Sequence, residues 1–113
     1  MKVNVLGQDY DIIIDDTLKD KNKDGECLMY EKEIHIRAAQ DMLEPDASMR
    51  SKVKSQNETL RHELMHAFFF EAGLVEYCID ETLVDFIAQQ FQKLHKIFFR
   101  NMMCDVKDKR HNA

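Results

Sequence analysis

The sequence predicts an α+β domain, a small twisted antiparallel or mixed sheet over residues 1–40 packed on two C-terminal helices. Three observations carry that expectation: β-branched and alternating residues fill the first third, a single proline (Pro45) marks a change of pattern, and two long segments of helical periodicity follow. At 113 residues one hydrophobic core serves the whole chain, so residues 1–113 read as a single domain.

The elements follow in order. Val3, Val5 and Leu6 lead into a turn at Gly7-Gln8-Asp9, and the β-branched run to Ile14 returns from Tyr10, which makes a hairpin. Residues 15–25 are polar, so they read as an exposed loop with Gly25 as its breaker. A second hairpin runs from Cys27 to Tyr30, turns at Glu31-Lys32 and returns through Glu33–Arg37. Alternation there sets Ile34 and Ile36 on one face and Glu33, His35 and Arg37 on the other.

The helical part spans residues 46–100. Asp46 or Ser48 caps a helix over about 47–72, and Gly73 stops it. Its second half is apolar on several faces, which places it in the domain centre. After a short linker a second helix covers about 79–99, with an inner face of Leu83, Val84, Ile87, Ala88, Phe91, Leu94 and Phe98. Residues 105–113 form a polar tail.

Charge and cysteine usage exclude several classes. The net charge is −5 and no Lys/Arg run is long enough to hold a phosphate backbone, which argues against nucleic acid. The apolar start breaks after Leu6, too early for a secretory leader, and no apolar run is long enough to span a membrane. Cys27, Cys78 and Cys104 are odd in number and lack CxxC spacing, so a reducing cytoplasm is the expected compartment.

The chemistry is concentrated in His62-Glu63-Leu64-Met65-His66. Histidines four apart on a helix differ by about 40° in azimuth and about 6 Å in height, so both imidazoles can reach one ion. Glu63 is displaced by about 100°, beside the ion but outside its ligand set, where a carboxylate can act as base on water. A chance HExxH arises in roughly two of a hundred shuffles of this composition, and its place on a strongly apolar helix lowers that risk. The competing reading is a pair of helix-surface histidines making i,i+4 contacts.

A catalytic zinc takes three protein ligands and leaves one position open. The third must come from elsewhere, since Glu71 lies about 140° from His66. Glu81 and Asp85 share a face at the start of the second helix, so Glu81 reads as the third ligand. Asp85 would accept a hydrogen bond from a ligand imidazole. Asp80 and Glu76 compete with Glu81, and acids at a helix start also serve the helix dipole.

The segments HELMHAFFFEAGL and DETLVDFIAQQF resemble the gluzincin class of zinc metallopeptidases, in which HExxH is joined by a glutamate in an ExxxD helix. They are similar in particular to small phage and prophage peptidases of the ImmA/IrrE type, which cleave repressors of mobile elements. The resemblance covers residues 57–92. It implies a Zn²⁺ held by His62, His66 and Glu81, with Glu63 as general base and Asp85 orienting a histidine. It further implies a protein or peptide substrate, repressor-like in that family. Only fourteen residues separate His66 from Glu81, and the additional transition-state-stabilising His and Tyr of the larger thermolysin-like enzymes have no counterpart.

The expected activity is therefore zinc-dependent peptide hydrolysis, with an extended substrate pairing along an exposed edge of strand 33–37. The rival expectation is a zinc-bearing interaction module of the same fold without turnover. Other residues carry blander readings. Tyr77 packs on the core rather than stabilising an oxyanion, His35 faces water rather than the cleft, and Cys78 is a buried structural thiol. His95 lies about 21 Å along the helix from Glu81, too far to be a ligand. Phe68-Phe69-Phe70 and Phe98-Phe99 read as core.

Overall fold

In the computed structural model, which describes residues 1–102, the first turn is tighter than expected. Leu6 and Gly7 both take positive φ, 50° and 95°, and this two-residue turn joins β1 (Lys2–Val5) to β2 (Gln8–Ile14). Gln8 and Asp9 thus open the returning strand instead of lying in the turn. Asn4 stabilises the bend, accepting from the Gly7 N–H at 3.0 Å and donating to Asp9 at 2.9 Å.

The sheet is mixed. Its order is β1-β2-β4-β3, with β3 at Gly25–Leu28 and β4 at Glu33–Ile36. β4 runs parallel to β2 and antiparallel to β3. This corrects the expectation that strand 33–37 offers an exposed edge. β4 is flanked on both sides, and the edge strand on that side of the sheet is β3. Gly25, expected to break the chain, instead opens β3.

One face of the sheet packs on α1 (Met49–Glu71) through Val5, Tyr10, Ile34, Ile36 and Ala67. The segment 15–24 is not a plain exposed loop, because a 3₁₀ turn at Asp16–Lys19 buries Leu18 completely. Alternation turns His35 away from the α1 face. Its ring is hydrogen-bonded to Asp15 at 2.8 Å and is largely buried, so it faces neither the cleft nor open water.

Ser48, not Asp46, caps α1, its hydroxyl accepting from the Ser51 N–H at 3.1 Å. The far end of α1 is tied to the sheet by Glu71. This carboxylate accepts from the Tyr10 hydroxyl and from Lys32, both at 2.6 Å, while the Lys32 ammonium lies 5.0 Å from the Phe70 ring centre. Burial and the Glu71 carboxylate push the Tyr10 phenol well above its ordinary range.

The expected linker contains a single helical turn, α2 (Val75–Cys78), before α3 (Glu81–Met102). A second cluster of Phe69, Cys78 and Val84, with Leu83 and Ile87 packed against it, joins α1, α2 and α3. Arg61 adds a 3.1 Å hydrogen bond to the Ala88 carbonyl. Past that point α3 leaves the body. Phe91, Leu94, Phe98 and Phe99, expected to face inward, are all about half exposed or more. Phe68 is also exposed, so of the Phe68–Phe70 run only Phe69 is buried outright. The expected tail at 105–113 and Cys104 lie outside the described residues.

Candidate metal centre

Helical spacing on α1 brings His62 and His66 together, with their Nε2 atoms 3.2 Å apart. The first turn of α3 sets Glu81 across from them, one carboxylate oxygen 3.0 Å from His62 Nε2 and the other 3.1 Å from His66 Nε2. Two imidazole nitrogens and the two oxygens of one carboxylate thus face one another at 3.0–3.2 Å.

The opposite ring nitrogens explain what those donors are. His66 Nδ1 lies 2.5 Å from the Cys78 carbonyl, which can only accept, so Nδ1 carries a proton. His62 Nδ1 lies 3.3 Å from Asp85 Oδ1, again an acceptor, so the same tautomer is favoured there. With Nδ1 so engaged, each imidazole presents its Nε2 to the Glu81 carboxylate and to the other ring. That arrangement is repulsive unless a cation or an added proton joins it.

The dimensions fit a divalent ion. Tetrahedral zinc with ligand distances of about 2.0–2.1 Å separates its donor atoms by about 3.3 Å, close to the observed separations. Oriented Nδ1–H groups bonded to a carboxylate and to a main-chain carbonyl are the usual supports of ligand histidines. Two imidazole nitrogens with a carboxylate are a mixed donor set, which would suit a borderline ion better than calcium or magnesium, which prefer oxygen alone.

Glu63 occupies the inner wall. Its carboxylate is buried at 6% exposure, and the donor atoms of His62, Glu63 and His66 lie within 4.8 Å of one another. Glu81 makes the close approaches to both Nε2 atoms, at 3.0 and 3.1 Å, while Glu63 offers a carboxylate within 4.8 Å of the same histidines. Burial pushes the Glu63 carboxyl up to about 7; the nearby His66 lowers it and the Glu81 carboxylate raises it.

A cavity of about 630 Å³ opens onto these groups, walled by β3 on one side and by α1 and the start of α3 on the other. Gly25 makes this close wall possible. A Cβ there would stand 2.7 Å from Thr59 Cγ2 and 3.2 Å from Glu63 Cγ. Cys27 also faces the cavity, its thiol pushed up to about 12, first by burial and then by the Glu63 charge, so it is not a ready thiolate.

Compared with known protein families, with curated proteins and with solved structures, the chain matches none. Its chemistry is therefore read from these side chains.

His62, Glu63, His66, Glu81 and Asp85, singled out in the sequence, all meet at this cavity. Asp80 does not, because it caps α3, accepting from the Leu83 N–H at 3.0 Å. Glu76 and Tyr77 do not line the cavity; the Tyr77 ring lies 5.9 Å from Phe69. Cys78 contributes its carbonyl instead of its sulfur, which donates to Met29 at 3.0 Å. Sequence reasoning missed that carbonyl and Gly25. A main-chain acceptor leaves no residue-type signal, whereas a glycine inside a β-branched strand pattern does mark a close approach.

Proposed function

We propose that the chain is a metal-dependent peptide hydrolase, its divalent ion held by His62, His66 and Glu81. A single observation carries the proposal. Two imidazoles with Nδ1 committed to acceptors converge through Nε2 on a third, anionic donor, beside a buried carboxylate and an open cavity. The HExxH spacing of residues 62–66 and the ExxxD spacing of residues 81–85 agree with that assignment.

A zinc ion in such a setting supplies Lewis acidity, polarising a carbonyl and acidifying water. The chain's own residues do the rest. Glu63 would accept the proton of the attacking water and pass it to the departing amine, its carboxylate lying on the inner wall beside the histidines. Asp85 and the Cys78 carbonyl hold the imidazoles in one tautomer. The free edge of β3, lined toward the cavity by Gly25 and Cys27, gives an extended peptide its main-chain partner.

The 630 Å³ cavity favours turnover over a closed interaction module, which would need no room beside the donors. Glu63→Gln is the test. It should retain one metal ion per chain and lose at least about a hundredfold in cleavage of a peptide library. Loss of metal together with activity would make Glu63 a ligand and not the general base.

A further inference from the structure

We propose that the outer half of α3 is a self-association surface, on which a second copy of this chain packs its own α3. The spacing of Val84, Ile87, Phe91, Leu94 and Phe98 alternates three and four residues, the seam of a helix pair. The start of that seam is already used within the chain: Val84 is fully buried and Ile87 packs with it against the cluster shared with α1. Beyond Ala88 the same stripe continues without a partner among the described residues. Phe91, Leu94 and Phe98 are 51%, 46% and 54% exposed. The His95 ring lies 5.9 Å from those of both Phe91 and Phe99, extending the apolar surface.

Charge placement decides the kind of occupant. Between Asp85 and Asp105 the only charged residues are Lys93, Lys96 and Arg100. At 100° per residue they lie about 140–160° from the middle of the stripe, on the back of the helix. A helix lying on an anionic membrane would carry its cations beside the apolar face, within reach of headgroups. A paired helix needs an uncharged seam with charges turned outward, and α3 has that arrangement. Two copies meet that need with no like-charge contact across the seam, and a two-fold pair uses the same patch twice.

Among the described residues, none covers the stripe beyond Ala88. With Ile97 and Phe99 flanking, the half-exposed side chains offer roughly 400–500 Å² per copy, taking about 150–250 Å² for each aromatic group. A pair would bury about 800–1,000 Å², near the lower limit for a specific interface, so association should be weak and concentration-dependent.

Sedimentation velocity on the full chain, from low micromolar to near-millimolar concentration, tests this. The expected result is a reversible monomer–dimer equilibrium, weakened at least about tenfold by Phe91→Ser/Phe98→Ser and by Leu94→Lys. Lys93→Gln/Lys96→Gln should leave it unchanged. These sites are exposed, so circular dichroism and metal content should not change, which separates this surface from the metal centre. A monomer at every concentration would overturn the proposal, as would a dimer indifferent to the stripe variants. So would a monomer that floats with phosphatidylserine-containing vesicles and loses that binding in the lysine variant.

Discussion

His66 donates its Nδ1 proton to the Cys78 carbonyl at 2.5 Å, so the single turn of α2 holds the His66 imidazole in place. The thiol of Cys78 plays no part in that bond. Cys78→Ala should therefore keep metal stoichiometry and affinity while lowering stability by about 1–2 kcal/mol through the small cavity left in the core. Metal titration and urea unfolding of the same variant read the two effects separately.

Asp85 holds His62 as the Cys78 carbonyl holds His66, but through a side chain that can be removed. Asp85→Ala should weaken metal binding by about 10–100-fold, as loss of a ligand's hydrogen-bond partner typically does. Competition with a chromogenic chelator would measure it. An unchanged affinity would mean that the 3.3 Å contact does not orient the ring.

Metal binding to the folded chain alone must raise its stability. At a free concentration about a hundred times Kd the gain is about 2.7 kcal/mol, visible as a higher Tm that a chelator reverses. His66→Ala should abolish the gain. Ions that prefer all-oxygen sites, such as Mg²⁺, should produce little of it.

Gly25→Ala forces a methyl group to within 2.7 Å of Thr59 Cγ2. The expected cost is about 1–3 kcal/mol, the range for overpacking. Thr59→Ser removes the clashing methyl, so the double variant should recover part of the loss in urea unfolding. Purely additive effects would argue against the contact.

Asp15 gives the pH prediction. Its bonds to the Thr17 hydroxyl, to His35 and to the Thr17 N–H hold its carboxyl down at about 2, below the usual 3.8. A depressed folded-state pKa contributes stability that is complete above 3.8 and is lost as pH falls through about 2. Asp15→Asn should thus be destabilising at pH 5, with the difference from wild type shrinking toward pH 2. A constant difference across that range would show that the carboxylate charge is not what matters.

The relation of sequence to structure differs from element to element. The helix carrying His62, Glu63 and His66 is legible because i,i+4 spacing is a local property of one helix. The strands are legible too, since alternation of Ile34, His35 and Ile36 is written residue by residue. The order in which strands assemble is not local. Nothing in residues 33–37 reveals that β2 will lie beside β4, so the edge strand on that side of the sheet is β3. The stripe on α3 is legible as apolar but not as exposed, because periodicity identifies a face and says nothing of whether a neighbour reaches it.

The sequence by itself determined the donor types, their helical spacing and the α+β division at Pro45, all short-range consequences of backbone geometry. Tertiary structure alone decided that Glu81 meets the imidazoles while Asp80 caps a helix, and that a carbonyl supports His66. Those outcomes depend on how two helices cross and where the sheet ends, distances set by packing of the whole core.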